Sequence, residues 1–267
     1  MPKAAVNGIE MQYIIEGKGP ALVFIHGLGS SLEAWRPHIP FFVDQWQVIA
    51  ADTRGHGESS KPPGPYSIEL FARDWHALLD DLGIEKTVLL GLSMGGAISM
   101  QLAVLQPERI RALVLVDTWG GPDRPDFEFA RLMEERIALA QTKGMRAYAE
   151  AAVQSAFSEG YRKSNPQAIQ EFIEARVNLP IEPVIAATRA CVAFNLLNRL
   201  HEIQAPTLVL VGSEDILTPP SLSKAIVERI PHAVYREIPG SGHVLPVEKP
   251  EEFRAAVAEF LENVATP

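Results

Sequence analysis

Ser93 lies in a setting that is typical of a catalytic serine. The stretch GLSMG at 91–95 follows an apolar run and precedes a segment with helical spacing. A tight strand-to-helix turn of this kind exposes a serine hydroxyl at the carboxyl end of the strand, and it leaves room only for small residues two positions to either side. A glycine-rich turn with a capping serine also fits the pattern, but the strand-to-helix context favours a nucleophile.

A serine hydroxyl needs a base that removes its proton and an acid that orients the base. Of the seven histidines, His243 lies in a loop between a strand-like run and the last helix, from which it can reach back to the sheet edge. Asp215 follows another apolar run and is expected at a comparable position at the sheet edge. We therefore predict a catalytic triad of Ser93, His243 and Asp215.

The elements that must position these residues are short runs that are apolar throughout. The runs are ALVFIHG, QVIAAD, KTVLLGL, IRALVLVD and PTLVLVG. Strands that are apolar on both faces are typical of a parallel sheet, and the helical patterns between them indicate right-handed strand–helix–strand units. The sequence predicts an α/β fold in which helices flank a mostly parallel central sheet.

The segment 122–201 has a different pattern from the rest of the chain. It contains no convincing strand, and glycine and proline residues divide it into roughly four helices. A helical block between two sheet strands is most simply a cap over one end of the sheet. We therefore expect a core domain formed by 1–121 and 202–267, with an inserted helical cap at 122–201.

Five blocks, in order along the chain, resemble those of the α/β-hydrolase superfamily. The blocks are HGLGSSLEAW, ADTRGHGESSKP, GLSMGGA, LVGSEDILTP and GSGHVLPVEKPEEF. The chain order Ser93, Asp215, His243 is also that of the α/β-hydrolases. The resemblance implies an α/β-hydrolase fold and a serine hydrolase. Some relatives place the acid after the preceding strand, so Asp117 is an alternative to Asp215.

Stabilising the negative oxygen of a tetrahedral intermediate requires fixed N–H donors. One is expected from the backbone of Met94, at the start of a helix, where unpaired N–H groups favour an anion. The resemblance implies that the second is the backbone N–H of Leu28. It also implies that His26 holds that loop, and that the segment DTRGHGESS is a supporting turn without a chemical role.

Aromatic side chains in and beside the cap are candidates for the substrate pocket. They are Trp119, Phe127, Phe129, Tyr148, Phe157 and Phe194. Within the superfamily the chain resembles 3-oxoadipate enol-lactonases and simple carboxylesterases, which implies hydrolysis of a small ester or lactone through an acyl-enzyme. Haloalkane dehalogenases and epoxide hydrolases carry aspartate at the elbow, so Ser93 excludes them. Leu92 and the run VLP after His243 argue against carbon–carbon bond hydrolases.

Two other functions remain open at this stage. The same triad serves perhydrolases and cofactor-free haloperoxidases, in which peroxide competes with water. Some proteins of this fold retain the triad but act as ligand-binding signalling proteins with slow or absent turnover. A burst that stalls would distinguish such a signalling protein from an esterase.

Composition limits the partners of the 267-residue chain. The net charge of −9 and the lack of a basic run argue against nucleic acid, and a small-molecule substrate is expected. The single Cys191 excludes an intrachain disulfide. Without an evident signal peptide or membrane span, the protein is expected in the cytoplasm. No metal-binding or cofactor-binding motif is recognised, so no metal or cofactor is expected.

Overall fold

A computed structural model describes residues 1–122 and 128–264. The described residues form eight strands: β1 (Lys3–Val6), β2 (Ile9–Glu16), β3 (Ala21–Ile25), β4 (Gln47–Ala51), β5 (Thr87–Leu92), β6 (Ile110–Val116), β7 (Thr207–Gly212) and β8 (Ala233–Ile238). They also form ten α-helices: α1 (Ile39–Phe42), α2 (Ile68–Asp81), α3 (Met94–Leu105), α4 (Phe129–Ala156), α5 (Glu159–Ser164), α6 (Pro166–Val177), α7 (Ile181–Ala193), α8 (Pro220–Val227), α9 (Leu245–Glu248) and α10 (Pro250–Glu262).

The eight strands form one sheet in the order β1-β2-β4-β3-β5-β6-β7-β8. The pairs β1–β2 and β2–β4 are antiparallel, and all pairs from β4 to β8 along the sheet are parallel. Burial follows this division, because β1 alternates between exposed and buried residues whereas β3 and β7 are buried throughout. The predicted α/β fold with a mostly parallel sheet is confirmed.

Helices cover both faces of the sheet and create two apolar cores. On one face, α2 and α3 contribute Phe71, Trp75 and Ile98 to a core that reaches towards the helices after β6. On the other face, Trp35 and the α10 residue Phe253 pack against β3, β5 and β6. Burial of these large side chains stabilises the fold. It also fixes the position of each strand relative to its neighbours along the sheet.

Helix α2 illustrates how local sequence sets an element's bounds. The Ser67 hydroxyl accepts a hydrogen bond from the Leu70 backbone N–H at 3.0 Å and so caps the first turn. Gly83 follows the helix with a φ of +67°, a conformation that favours glycine. This helix packs against α3, which begins directly after Ser93.

Four helices, α4 to α7, lie between β6 and β7 in the described residues. Helix α4 kinks at Gly144, which has a φ of +82°, and the breaks between the four helices lie at 157–158, at Asn165 and at 178–180. Helix α4 packs against both α6 and α7. Across residues 1–122 and 128–264, none of the helices combines the length and the apolar character that a membrane crossing needs.

Candidate active site

Ser93 occupies a strained turn between β5 and α3. Its φ of 55° and ψ of −116° are unusual for a residue with a side chain. The turn is so tight that a Cβ on Gly91 would lie 2.2 Å from the carbonyl oxygen of Gly95. A Cβ on Gly95 would lie 2.1 Å from the carbonyl oxygen of Ile25. Glycine is therefore required on both sides of the serine, and the strained turn presents the hydroxyl at the carboxyl edge of the sheet.

The three residues of the predicted triad form one continuous hydrogen-bonded chain. The Ser93 Oγ lies 2.8 Å from His243 Nε2, and His243 Nδ1 lies 2.8 Å from Asp215 Oδ2. Asp215 Oδ1 also accepts hydrogen bonds from the backbone N–H groups of Leu217 and Thr218 at 2.8 and 2.9 Å. Because Nδ1 donates to the fixed carboxylate, Nε2 is the atom that can accept the serine proton.

Asp117 lies close to this chain but has different partners. Its carboxylate accepts the backbone N–H of Gly212 at 2.9 Å and that of Leu245 at 3.0 Å. Complete burial, and then the charge of Asp215, raise the pKa of Asp117 well above its ordinary value. In the described structure Asp117 makes no hydrogen bond to His243, and it joins β7 to the loop that carries the imidazole.

A buried glutamate, which the sequence analysis did not identify, holds the His243 loop to the end of α4. Glu248 accepts the backbone N–H of Gly242 at 2.9 Å and the Ser158 hydroxyl at 2.5 Å. Burial raises the pKa of Glu248 above its ordinary value. The backbone N–H of Val244 donates to the carbonyl of Ala156 at 3.1 Å. The loop and α4 are therefore connected on both sides of the imidazole.

The loop after β3 lies beside the elbow. A Cβ on Gly27 would lie 3.5 Å from the Ser93 Cβ, so the loop backbone passes close to the hydroxyl. The N–H groups of Leu28 and Met94, the two expected oxyanion donors, make no hydrogen bond to any other described residue. Neither N–H group is therefore committed to a partner within the described part of the chain.

Two buried imidazole rings, those of His26 and His56, support the loop after β3. His26 Nε2 accepts the Thr53 backbone N–H at 3.0 Å, so Nδ1 carries the proton and donates to the Gly27 carbonyl at 2.8 Å. His56 stacks at an angle on His26 with ring centroids 5.1 Å apart. Burial lowers the pKa of His26 to about 4, and burial together with the proximity of His26 lowers that of His56 to about 3. Both rings are neutral at physiological pH.

The segment DTRGHGESS contributes a further set of buried contacts. Asp52 accepts the backbone N–H groups of Leu32 and Glu58, each at 2.8 Å. Arg54 binds both carboxylate oxygens of Asp74 at 2.7 Å. Asp52 and Arg54 bind other parts of the scaffold, so their contacts match the supporting role expected for this segment.

A cavity of about 430 Å³ opens above Ser93 and His243. Of the aromatic residues expected to line it, Trp119, Phe129 and Tyr148 do so. Among the described residues, Phe194 and Phe157 are not part of the wall. Phe194 packs edge-on against Trp119 from behind, and Phe157 packs against Tyr161 and Phe172. Phe127 lies outside the described residues.

The cavity wall also contains charged side chains that the sequence analysis did not select. Arg136 on α4 and Arg176 on α6 both line it, together with the apolar residues Met133, Phe172 and Leu217. In the described ranges, no cluster of histidine, cysteine, aspartate and glutamate side chains could hold a metal ion. Cys191 lines the cavity as a buried thiol whose pKa burial raises.

Comparisons with known proteins agree with this architecture. A protein-family model for the alpha/beta hydrolase fold matches residues 20–250. A putative carbamate hydrolase RutD from Caulobacter segnis is 32% identical over 241 residues, which are 89% of each chain. The crystal structure of the enol-lactonase from Burkholderia xenovorans LB400 is also similar. The match covers 98% of this chain and 100% of the enol-lactonase chain, with a TM-score of 0.91 and 31% identity.

A third similar protein is a thermophilic esterase from Thermogutta terrifontis, whose structure has malate bound. It covers 99% of each chain with a TM-score of 0.90 and 30% identity. The sheet order, the elbow at Ser93 and these similarities along nearly the whole chain lead to one assignment. The chain belongs to the α/β-hydrolase family.

Proposed function

We propose that this hydrolase cleaves a small carboxylic ester or lactone through an acyl-enzyme on Ser93. The observation that carries the proposal is the hydrogen-bonded chain from Ser93 through His243 to Asp215 at the base of a largely apolar cavity. A serine, an imidazole and a carboxylate in this geometry are the parts that acyl transfer requires. The printed names of the similar proteins, an enol-lactonase, an esterase and a putative carbamate hydrolase, support acyl chemistry as the common theme.

In the proposed mechanism His243 Nε2 removes the proton of the Ser93 hydroxyl as Oγ attacks the substrate carbonyl. The N–H groups of Leu28 and Met94 bind the oxygen that becomes negative. Asp215 holds the imidazole and balances its charge after protonation. His243 then gives its proton to the leaving alkoxide, which departs as an alcohol or, in a lactone, stays attached to the acyl group. Water repeats the sequence on the acyl-enzyme and releases the acid.

The helices in 122–201 act as a cap in this proposal. Trp119 and Tyr148 form an apolar wall near Ser93, and a cavity of about 430 Å³ admits only small substrates. Exclusion of bulk water strengthens the hydrogen bonds to the oxyanion because the local dielectric constant falls. The cap thus limits the size of the acyl and alcohol groups that the enzyme accepts, whereas residues of the core carry out the reaction.

Pre-steady-state hydrolysis of p-nitrophenyl acetate tests the proposal. We expect the wild-type protein to release a burst of p-nitrophenol followed by steady turnover. Ser93→Ala should abolish both while the protein stays folded, because the variant removes only the attacking oxygen. The matched control is Ser223→Ala, which removes a buried hydroxyl that has no hydrogen-bond partner among the described residues and lies in α8.

The outcomes separate the remaining alternatives. Steady turnover that persists in Ser93→Ala would refute the assignment of the nucleophile. A burst that stalls in the wild type would favour a signalling protein with a trapped acyl group. Peracid formation that exceeds hydrolysis when hydrogen peroxide is added would favour a perhydrolase.

A further inference from the structure

Thr218 is a buried polar residue beside the triad, and the mechanism proposed above gives it no role. The residue is fully inaccessible to solvent. Its hydroxyl oxygen lies 2.8 Å from Asp215 Oδ2 and 3.1 Å from His243 Nδ1. The hydroxyl therefore contacts both atoms of the hydrogen bond between the acid and the base, at the ring nitrogen that does not face Ser93.

The local sequence DILTPP at 215–220 holds this hydroxyl in place. Asp215 Oδ1 accepts the backbone N–H groups two and three residues later, those of Leu217 and Thr218, and so closes a turn. Pro219 follows, and a proline disfavours the helical conformation for the residue before it. Threonine is also stiff at χ1, because it is branched at Cβ. The turn therefore leaves the hydroxyl little freedom to leave the triad.

A hydroxyl has one proton to donate, and the two neighbouring groups of Thr218 differ in what they offer. A carboxylate only accepts, and a hydrogen bond to a charged acceptor is about twice as strong as one between neutral groups. The Thr218 proton therefore goes to Asp215 Oδ2, and a lone pair of the same hydroxyl faces His243 Nδ1. Within the described part of the chain this hydroxyl has no third hydrogen-bond partner.

This arrangement distinguishes the two neutral forms of the imidazole. With the proton on Nδ1, the ring N–H faces two acceptors, Asp215 Oδ2 and Thr218 Oγ1, and Nε2 presents its lone pair to Ser93. With the proton on Nε2, the lone pair of Nδ1 would face both oxygens, unless the hydroxyl proton left the carboxylate. Only the first form accepts the serine proton.

We propose that Thr218 is a positioning residue that holds the proton of His243 on Nδ1 and so keeps Nε2 ready to accept the proton of Ser93. The kinetic part of this inference rests on the proposed function, whereas the position of the ring proton can be observed without turnover. Thr218 is not part of the described cavity wall, so it acts through the imidazole and makes no contact with a substrate.

Three variants isolate the hydroxyl. Thr218→Ser keeps it and Thr218→Ala removes it, and both lack the methyl group. Thr218→Val replaces it with a methyl group of similar size. We expect kcat for p-nitrophenyl acetate to be about tenfold lower in the alanine variant than in the serine variant, and about tenfold lower in the valine variant than in the wild type. KM should stay unchanged, because His243 acts in both acylation and deacylation.

The matched control is Thr87→Val. Thr87 is also buried, and its hydroxyl donates to the carbonyl of Ala21 at 3.1 Å. It begins β5, at the end of the strand opposite to the elbow, so this variant should keep the wild-type kcat. Circular dichroism verifies that each variant is folded, and the serine and alanine variants decide the matter if the valine variant does not fold. Equal kcat values for Thr218→Ser and Thr218→Ala would overturn the proposal.

A double-mutant cycle with Asp215→Asn separates positioning from packing. In that variant the side-chain oxygen stays on the two backbone N–H groups, so the amide NH₂ faces Nδ1 and drives the ring proton to Nε2 whatever Thr218 does. Adding Thr218→Val should then lower kcat by less than about twofold, against about tenfold in the wild type. The same factor in both backgrounds is the signature of a residue that only packs the loop, and it would overturn the proposal.

Nuclear magnetic resonance of the imidazole nitrogens separates this inference from the proposed reaction. Proton–nitrogen spectra of Ser93→Ala at alkaline pH, where an imidazole is neutral, report which ring nitrogen carries the proton. The signals of His243 are those that disappear when His243→Gln is added. We expect the Nδ1–H form, and a rise of the Nε2–H form when Thr218→Val but not Thr218→Ser is added. That result supports the proposal even if no ester is hydrolysed. An unchanged Nδ1–H form in the valine variant would overturn it even if esters are hydrolysed through Ser93.

Discussion

His56 makes the stability of this protein depend on pH in a way that can be measured. The ring is buried beneath the loop that carries Leu28, and its Nδ1 contacts the carbonyl of Arg54 at 3.0 Å. Burial, and then the neighbouring His26, lower the pKa of His56 from 6.5 to about 3. Between about pH 3 and pH 6.5, His56 therefore carries a proton in the unfolded chain but not in the folded chain. Stability present above about pH 6.5 is lost as the pH falls towards the folded pKa.

The perturbation is His56→Gln, which removes the titration but keeps a polar side chain of similar length. One proton taken up on unfolding changes the free energy of unfolding by about 1.4 kcal/mol per pH unit. The wild type should therefore lose stability more steeply than the variant, by about 1.4 kcal/mol for each pH unit between pH 6 and pH 4. Asp117 and Glu248, whose raised pKa values act in the opposite direction, are present in both proteins and cancel in this difference.

Urea unfolding followed by far-ultraviolet circular dichroism at several pH values measures the two slopes. The difference between slopes is decisive, because His56→Gln also changes packing and so shifts the stability at every pH. His201→Gln, which exchanges an exposed imidazole, is the matched control and should keep the wild-type slope. Equal slopes for the wild type and His56→Gln would refute the argument that the buried ring is held neutral.

Two further predictions concern the triad and the elbow. Asp215→Asn should lower kcat by about 10³- to 10⁴-fold in the ester assay, because the amide no longer stabilises the imidazolium. Asp117→Asn should instead lower the free energy of unfolding by about 1–3 kcal/mol, since its amide places a donor against a backbone N–H. A larger loss of kcat in Asp117→Asn than in Asp215→Asn would reverse the assignment of the acid. Ser93→Gly should be more stable to urea than Ser93→Ala by about 1 kcal/mol, because glycine adopts a φ of 55° without strain; equal stability of the two would argue against a strained elbow.

The elbow and the sheet could be predicted because their constraints are local. A serine between two glycines after an apolar strand leaves few alternatives, and Gly91 and Gly95 indeed lie too close to other backbone atoms for any Cβ. The pairing of Asp215 with His243 was harder to predict. Asp117 and Asp215 both follow parallel strands at the same edge of the sheet, so sequence position alone does not distinguish them. The direction in which each aspartate side chain points distinguishes the two, and this direction relative to His243 depends on the packing of the loop after β8.

The sequence analysis did not identify Arg136 and Arg176 as cavity residues, because a charged residue in a helix is expected to lie on the exposed face of that helix. A signal was nevertheless present, since Arg136 falls at the spacing of Met133, Ile137 and Ala140 on the buried face of α4. Arg176 follows Phe172 by one helical turn in the same way. A charged residue within an apolar stripe is either an irregularity of the hydrophobic pattern or a functional group. Only the position of the cavity shows which of the two applies.

Helix α4 reaches from the wall of the cavity to the loop that carries the proposed base. Arg136 lies in the first part of this helix, before the kink at Gly144, and the last residue of the helix, Ala156, accepts the backbone N–H of Val244 next to His243. Glu248 joins the same loop to Ser158, directly beyond the helix. A substrate that packs against Ala152 and Ala156, which line the cavity, would thus contact the element that supports the imidazole. Binding energy from a remote part of the substrate raises kcat only if it is used to align reacting groups, and the part of α4 after the kink at Gly144 joins the cavity wall directly to the loop of His243.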